Sequence, residues 1–523
     1  MIKVLVEKDS YYDSVFLMLI ASEVKKVPGV EEAVVSMGTE INTELLREIG
    51  FGCPEIEEAT PNDLIIAVEA EDDQTLEQAF EKARELFSRK KIQRESAEAY
   101  RPVSLDTALK MMPDANLVIV SVPGRYAFRE VRRALEWGLH VMLFSDNVSL
   151  KEEIDLKRLA GEKGLLTMGP DCGTAIINGK PLCFANTVRR GGIGLVAASG
   201  TGLQEVTCCI DKLGQGISQA IGTGGRDLRP EVGGTMMLMG IEALKGDPQT
   251  EVIVVISKPP AETVAREVIA RLEATGKPCV VHFIGFAGAG SSSQSTGRVL
   301  YAGNLEEAAG MAVALLQGRS YRPRTFTLAE AEVKRLVEQE VAGMSGRQKY
   351  LRGLFTGGTL ADEALILFER EIGGIYSNIQ TKPELLLPNP QRSKEHTIVD
   401  LGDDLFTQGR PHPMIDPTIR VDRLRKEMED SEVAVLLLDC VLGYGSHPDP
   451  AGAMRDSIVR AKEKAKQRGG YLAVAASVTG TEADLQDPQE QREKLESAGC
   501  IVMPSNYQAA LLALRIIQKG GGS

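Results

Sequence analysis

The chain has 523 residues, of which 43% are hydrophobic and 25% are charged, a composition typical of soluble globular proteins. Its 60 basic and 73 acidic residues give a net charge of −13, which argues against nucleic acid or an anionic membrane as the partner. This length exceeds what one hydrophobic core usually serves, so three or four domains are expected.

Membrane insertion and disulfide bonding are not predicted. No uninterrupted apolar stretch reaches the length of a membrane span. The eight cysteines are scattered, with no CxxC pair and no zinc-like spacing, which favours reduced thiols, a cytoplasmic protein and no structural metal site.

The first 95 residues are predicted to form a small α+β domain of ferredoxin-like type. Its strands are expected at Lys3–Glu7, Glu32–Met37 and Leu64–Glu69, and its helices at Tyr11–Lys26 and Asp73–Lys90. The charged run at 88–94 indicates a solvated linker.

The rest of the chain alternates apolar strands with helices, which predicts several doubly wound domains with parallel sheets. We expect α/β domains at 96–190, 191–318 and 349–523, with a charged helical connector at 319–348 and a loop of small residues at 287–296. Such sheets bind ligands at the carboxyl ends of their strands.

Three turns of small residues join a strand to a helix and are candidate phosphate sites. A helix that begins at such a turn offers free N–H groups and the positive end of its dipole to an anion. The turns contain Ser199, Gly200, Thr201 and Gly202; Gly357, Gly358 and Thr359; and Gly443, Gly445 and Ser446. The alternative is that each is an ordinary packing turn.

Charged residues near these turns are candidates for catalysis. Lys258 follows a buried strand and could neutralise a phosphate, or be a surface lysine. Arg226, in a glycine-rich loop, could clamp a phosphate or a carboxylate. His412 and His447 lie in loops rich in glycine and proline, where they could act as acid or base, bind a carboxylate, or cap backbone carbonyls.

Two further features have competing interpretations. Cys172 could be a nucleophile, but no histidine lies near it in sequence, so a thiol in a coenzyme A pocket or a structural thiol is favoured. Asp400, Asp403 and Asp404 could hold Mg²⁺, although clustered acids are as often solvated surface.

Several motifs recur in the order found in the α subunit of succinyl-CoA synthetase, which residues 115–285 resemble. These motifs are Met168–Gly173, the Ser199 turn, Ile221–Arg226 and Gly246–Glu251. Residues 397–513 resemble the carboxyl-terminal ligase domain of the β subunit. Over nearly its full length, including Gly409–Pro417 and Ser145–Asn147, the chain is similar to the FdrA-like group of acyl-CoA synthetases.

This resemblance implies two helix N-termini that point at one phosphate, one following Ser199–Thr201 and the other at Gly443–Ser446. It also implies that residues 96–190 are a CoA-binding-like domain. Coenzyme A or substrate contacts are then expected at strand ends and loops of this region and beyond, at Val122, Pro123, Ser145, Asn147, Asp171, Cys172 and His412.

The chain departs from the succinyl-CoA synthetase pattern at the positions of that family's catalytic residues. Residues 285–290, where the phosphorylated histidine would lie, contain no histidine, and His282 belongs to the preceding strand. The partner glutamate falls near Ser257–Lys258, where no acid stands. No segment resembles an ATP-grasp domain or the glycine-rich CoA loop.

Three functions remain open. The first is ligation of a carboxylate to coenzyme A through a phosphate or acyl phosphate, without phosphohistidine. The second, implied by resemblance to FdrA in allantoin breakdown, is carbamoyl transfer that converts oxalurate to oxamate and carbamoyl phosphate. The third is a non-catalytic scaffold. Coenzyme A, phosphate or an acyl phosphate, and Mg²⁺ are the candidate cofactors; partner subunits, or a second copy of the chain, are the expected macromolecular partners.

Overall fold

The computed structural model describes residues 1–10, 12, 14–96, 102–285, 298–408 and 410–520. Two compact units are distinguished, Met1–Pro113 and Asp114–Ser523. The predicted loop at 287–296 lies outside the described residues, as does Gly409 of the predicted 409–417 segment. No helix in the described ranges is both long and apolar enough to cross a bilayer.

The first unit is an α+β sandwich, as predicted. Its elements are β1 Ile2–Glu7, α1 Ser14–Lys25, β2 Val30–Met37, α2 Glu40–Glu48, α3 Pro54–Glu57, β3 Leu64–Ala70, α4 Asp73–Ser96 and α5 Leu105–Met111. The strands form an antiparallel sheet in the order β1-β3-β2. Helices α1 and α4 cover one face through the core around Leu17, Phe80 and Val68, and α2 and α3 cover the other.

The second unit contains the parallel sheets. Its first half comprises β4 Leu117–Val120, α6 Gly124–Glu136, β5 His140–Leu143, α7 Leu150–Lys163, β6 Thr167–Met168, β7 Thr174–Ile177, β8 Lys180–Cys183, β9 Arg190–Ala198, α8 Gly200–Lys212, β10 Ile217–Gly222, α9 Thr235–Gly246, β11 Val252–Ser257, α10 Glu262–Glu273, β12 Cys279–Phe283, β13 Val299–Tyr301 and α11 Leu305–Leu316.

Its second half comprises α12 Glu330–Val341, β14 Tyr350–Phe355, α13 Gly358–Glu371, β15 Tyr376–Ser377, a 3₁₀ turn Pro383–Leu385, β16 Thr397–Asp400, α14 Asp404–Thr407, α15 Thr418–Glu427, β17 Val433–Val441, α16 Pro450–Gln467, β18 Ala473–Thr479, α17 Pro488–Ser497, β19 Ile501–Met503 and α18 Asn506–Gly520.

These strands form three sheets, ordered β4-β5-β6, β13-β12-β11-β9-β10-β7-β8 and β15-β16-β14-β17-β18-β19. All pairs are parallel except those that β7 makes with β8 and β10. In the seven-stranded sheet the connections change direction between β9 and β11, and in the six-stranded sheet between β14 and β17. Crevices at such switch points are where open α/β sheets bind ligands, so the carboxyl ends of these four strands define the functional edge.

The two large sheets share one hydrophobic core. Helices α8 and α11 from the seven-stranded sheet pack against each other and meet α13 and α18 of the six-stranded sheet. Leu203, Ile210, Leu360, Phe368 and Ile516 all belong to this single buried cluster. The crevices of the two sheets therefore lie in one continuous body.

Buried carboxylates link helix ends across that core. Glu205 of α8 accepts a hydrogen bond from the backbone N–H of Asn506 (2.9 Å), at the start of α18, and one from Thr479. Glu363 of α13 accepts from the N–H of Leu305 (2.9 Å), at the start of α11, and from Asn506 Nδ2 (2.8 Å). An acid at a helix N-terminus satisfies donors that the helix leaves unpaired. Glu205 therefore joins the first half of the unit to the second, and Glu363 joins α13 both to α11 of the first half and to α18 of its own half.

A buried lysine attaches the three-stranded sheet to its larger neighbour. Lys157 of α7 is fully buried and donates to Glu153 (2.8 Å), Asp227 (2.8 Å) and the carbonyl of Thr223 (2.9 Å). The three donors of its ammonium group thus have three acceptors, as burial of the charge requires.

The α/β fold class with a small amino-terminal α+β domain is confirmed, but the sequence reading missed the β7–β8 hairpin. Asn178 and Gly179 at its turn both adopt positive φ (49° and 72°), the conformation of a type I′ turn. The residues of this hairpin were assigned to the 96–190 domain, but β7 pairs with β10 of the seven-stranded sheet.

Candidate functional site

Two helices of the second unit bring their N-termini together at the functional edge. Helix α8 follows Ser199 and α13 follows Gly357, and neither of these N-cap positions carries a side-chain cap. Ser199 Oγ lies 2.8 Å from Thr359 Oγ1, and the N–H of Thr359 donates to Thr201 Oγ1 (3.3 Å). The structure thus unites the first two of the three predicted phosphate turns.

Glycines permit this close approach. A Cβ added at Gly202 would lie 2.8 Å from the Thr359 methyl group, and one added at Gly357 would lie 2.9 Å from the Thr201 methyl group. Both distances are too short for a real side chain, so a larger residue would separate the two helix ends.

A buried acid holds the turn before α13. Asp439, at the end of β17, accepts from the backbone N–H groups of Thr356 (3.0 Å) and Gly357 (2.8 Å) and pairs with Arg420 (2.9 Å). Asp439 and Arg420 are both buried. Because two backbone donors and one cation share this carboxylate, Asp439 fixes the turn from which α13 begins.

Lys258 projects into the same region from the end of β11. Its Nζ lies 3.0 Å from Asp362 Oδ2, on the second turn of α13. A Cβ added at Gly358 would be 3.5 Å from this Nζ and 2.5 Å from Asp400 Oδ2, so the lysine, Asp400 and the first residue of α13 adjoin one another. We call Ser199, Gly358, Lys258, Asp362 and Asp400 the central site.

The charges of the central site are strongly coupled. Burial lowers the pKa of Lys258, but Asp362 and Asp400 more than offset this and leave the pKa above its ordinary value. Burial raises the pKa of Asp400 to about 7, although Lys258 and the N–H of Gly402 act in the opposite direction. Near neutral pH the site therefore holds a charged ammonium beside a carboxyl group that is only partly ionised.

Asp171, which follows the three-stranded sheet, interacts electrostatically with the central site. Its side chain is exposed, yet burial, followed by the charge of Asp404, raises its pKa to about 7. Nearby protein atoms and the neighbouring acid thus disfavour the charged form of this carboxyl group. The charges of Lys258 and Arg226 act in the opposite direction on this pKa, so the end of the three-stranded sheet lies within electrostatic reach of the central site.

The third predicted turn is placed differently from the expectation. Gly443 and Gly445 pack against the segment after β8, where Cβ atoms would meet the carbonyl of Ala185 and the ring of Phe184. The next helix, α16, begins only at Pro450 and is capped by Asp449, which accepts from the N–H of Gly452. The helix that meets α8 is therefore α13 and not α16. Within the described chain, the Ser446 hydroxyl is buried without a hydrogen-bond partner.

The two loop histidines are held in one tautomer. His412 Nδ1 accepts from the N–H of Met414 (3.2 Å), and His447 Nδ1 accepts from the N–H of Asp449 (3.0 Å). The neutral form of each ring consequently carries its proton on Nε2. Burial lowers the pKa of His412 to about 4, and its ring lies 5.3 Å from that of Phe184, so it is neutral at physiological pH.

The predicted coenzyme A contacts at the end of the three-stranded sheet come together. The N–H of Val122 donates to Ser145 Oγ (3.0 Å), and Pro123 is the N-cap residue of α6. A Cβ at Gly124 would lie 2.3 Å from the carbonyl of Asp146, which shows how closely this turn approaches the loop containing Asn147.

Two candidate catalytic side chains are engaged by the protein itself. Cys172 is buried and donates weakly to the carbonyl of Thr174, and burial raises the pKa of its thiol to about 12, which does not suit a nucleophile. Arg226 pairs with Glu153 (2.8 Å) and donates to the carbonyl of Val148 (2.8 Å). Among the predicted cations, only Lys258 belongs to the central site.

No histidine of the described chain stands where a phosphohistidine would. His282 lies inside β12, where its Nδ1 is 2.9 Å from the carbonyl of Ala302, and burial lowers its pKa to about 4. Residues 286–297 lie outside the description and contain no histidine in sequence.

Sequence reasoning missed Asp362 and Asp439. Asp362 follows Gly358 by four residues and so lies on the same face of α13, a spacing that could have identified it. Nothing in the local sequence around Asp439 shows that this strand-end acid holds a turn 83 residues earlier.

Comparison with known proteins shows several resemblances. The model of the CoA-ligase family matches residues 354–516 and that of the CoA binding domain matches 189–285, whereas the sequence placed a CoA-binding-like domain at 96–190. A model described as AllF, heavy metal-associated domain, matches 1–102.

Among relatives, YahF of Escherichia coli K12, an uncharacterized protein, is 46% identical over 99% of both chains. The alpha-2 subunit of succinate–CoA ligase from Trichomonas vaginalis is 30% identical over 36% of this chain and 61% of its own. Among solved structures, the match to apo acetyl-coenzyme A synthetase 1 of Ca. Korarchaeum cryptofilum covers 78% of this chain and 84% of that protein at 16% identity. Its TM-score of 0.30 is too low to support a structural conclusion.

The first unit does not fit the heavy metal that the description of its matching family implies. Residues 1–113 contain one cysteine, Cys53, and no histidine. Across the described residues, no three side chains of histidine, cysteine, aspartate or glutamate meet as a metal site would require. Asp63, beside the loop after β1, is occupied by the N–H groups of Asp9 and Thr60. Soft metals need several thiolate or imidazole ligands, and the sequence of this unit offers a single one.

Full-length similarity to YahF, the CoA-ligase and CoA-binding matches, and the succinate–CoA ligase relative agree with one another. The chain belongs to the FdrA-like family of proteins related to acyl-CoA ligases.

Proposed function

We propose that the protein is an acyl-CoA ligase-like enzyme that handles an activated acyl group as its phosphate at the central site. The observation that carries this proposal is the meeting of two uncapped helix N-termini beside Lys258. Two dipole ends and one ammonium group would concentrate positive potential where a phosphoryl group could bind.

In this proposal each residue has a separate role. Lys258 would pair with a phosphoryl oxygen, and the N–H groups that begin α8 and α13 would donate to the others. Asp362 would compete for Lys258 when no anion is bound, since it lies 3.0 Å from the ammonium. Asp400, with its pKa raised to about 7, would accept a proton as the anion arrives and so reduce the repulsion between like charges.

Coenzyme A, when bound, would supply the thiol that takes the acyl group. Asp171 is exposed and lies within electrostatic reach of Lys258, so coenzyme A could approach the central site along this surface. The contacts proposed for it are Val122, Pro123, Ser145 and Asn147, which lie in two adjoining turns at the end of the three-stranded sheet.

A second candidate is transfer of a carbamoyl group to or from phosphate. It is favoured by one observation, the buried and hydrogen-bonded state of His282, the histidine nearest in sequence to the position expected for a phosphohistidine. Direct attack of phosphate on the carbamoyl carbon forms carbamoyl phosphate as the carbon–nitrogen bond breaks, and this route needs no phosphorylated enzyme.

Calorimetric titration of the whole chain with coenzyme A, inorganic phosphate and carbamoyl phosphate separates these functions. Binding of phosphate and coenzyme A without carbamoyl phosphate would support the ligase; binding of carbamoyl phosphate without coenzyme A would support the carbamoyl transferase. If none of the three ligands bound, the enzymatic proposal would fail and a scaffold function would take its place.

A further inference from the structure

The sheet of the first unit has two edges of different character. In the described residues the sheet ends at β1 on one side and at β2 on the other. Strand β2 contains an irregularity between Val30 and Glu32, and the N–H of Ala33 donates to Glu32 Oε1 (3.1 Å). Bulges and acidic side chains prevent an edge from pairing with another chain. Strand β1 has neither an irregularity nor an acid at its centre.

The outward backbone groups of β1 follow from its register. Met1 and Ala70 exchange hydrogen bonds in both directions, the second being Ala70 N–H to Met1 carbonyl (2.9 Å). The register pairs Lys3 with Val68, two residues further on, so the odd-numbered residues of β1 direct N–H and C=O groups toward β3. The even-numbered residues, Val4 and Val6 among them, direct theirs away from the sheet.

The sequence of β1 is complementary to itself in one antiparallel register. When Val4 of one copy pairs with Val6 of another, the outward groups of both strands meet each other. The same register places Leu5 opposite Leu5 and Lys3 opposite Glu7, twice by symmetry. These are the non-hydrogen-bonded positions, where opposed side chains are closest and where opposite charges stabilise.

Side-chain packing agrees with this register. Leu5 packs on one face with the core under α1 and α4, and Val4 and Val6 pack on the other with the core under α2 and α3. All three remain only half-buried. A strand added beside β1 would therefore cover both cores. Lys3 already pairs with Glu77 (2.6 Å), but its side chain is 48% exposed and accessible to a second carboxylate.

We propose that a second copy of this chain binds along β1, so that the two first units form one continuous six-stranded antiparallel sheet. The contact is symmetric, as expected for a homodimer. It is independent of the function proposed for the second unit, since it uses residues of the first unit alone.

Charge reversal tests the register in the full chain. Glu7→Lys sets two lysines opposite each other at both ends of the contact, and Lys3→Glu sets two acids there, so each variant should halve the wild-type mass measured by light scattering at micromolar concentration. In an equimolar mixture, a pair of unlike variants places lysine opposite glutamate at both ends, so the mixture should recover the wild-type mass. The double variant Lys3→Glu with Glu7→Lys also restores opposite charges at both ends, within a single chain type. That double variant should therefore return to the wild-type mass of an even number of 56.6 kDa chains.

Rescue by the second substitution distinguishes pairing from damage to the subunit, because two damaging changes would not correct each other. Hydrogen exchange supplies the second measurement: amides of Val4 and Val6 should exchange more slowly as wild-type concentration rises, and not in Glu7→Lys. A wild-type chain that remains single, a Glu7→Lys variant of unchanged mass, or a double variant that stays dissociated would each overturn the proposal.

Discussion

Replacement of Lys258 by methionine tests the central site most directly. Methionine keeps most of the length of the side chain and removes its charge, leaving Asp362 without the cation 3.0 Å away. A hydrogen bond to a charged group contributes about 1.5–3 kcal/mol. Because the lysine side chain is 37% exposed, solvent screening favours the lower end of that range. We therefore expect sulfate affinity to fall by about tenfold.

Sulfate is the appropriate probe, since it keeps its charge across the neutral pH range, and isothermal calorimetry at low ionic strength measures its affinity. Lys382→Met is the matched control, because Lys382 also pairs with an acidic side chain but is 53% exposed and lies outside the central site. Equal affinity in wild type and Lys258→Met, or an equal loss in both variants, would refute the assignment of Lys258 to an anion site.

Three further changes should act in defined directions. Asp362→Asn should raise sulfate affinity several-fold in calorimetry, because Lys258 then lacks its internal counter-ion; a decrease would contradict the competition we describe. Asp400 has its pKa raised to about 7 from 3.8, so its contribution stabilises the fold below about pH 4 and is lost as pH rises through 7. In urea unfolding, the free energy of unfolding of Asp400→Asn should therefore rise relative to that of wild type as the pH is raised from about 5 to 8. A difference between the two proteins that does not change with pH would exclude this titration. Lys157→Met should lose about 3–5 kcal/mol of unfolding free energy, because it removes the cation from buried Asp227 and one of the two cations from Glu153, whereas exposed Lys163→Met should not. Equal unfolding midpoints would show that the network is not stabilising.

The sequence contained enough information for the fold class and for the separate parts of the site. Apolar runs such as Val252–Ile256 identify buried strands, and the small residues after β9 and β14 mark both helix starts. The sequence did not show which distant segments of the chain contact each other. The Ser199–Thr359 contact joins residues 160 positions apart, and only the packing of α8 on α13 brings them together.

Local chemistry also misled one prediction. The glycines at 443 and 445 suggested a helix start, but Pro450 and the Asp449 cap delay α16. Proline is favoured in the first turn of a helix and aspartate at its N-cap, so these two residues are the better boundary signal. The glycines instead allow close packing against Ala185 and Phe184.

The core shared by the two large sheets has a consequence for synthesis on the ribosome. Helix α11 ends at Leu316, whereas α18, which covers part of the same apolar surface, ends at Gly520. At roughly 5–20 residues per second, the intervening segment takes about 10–40 s to emerge. Over that interval the nascent first half presents an uncovered apolar layer, so we expect its folding to be completed only once α18 has emerged, with chaperones protecting it until then.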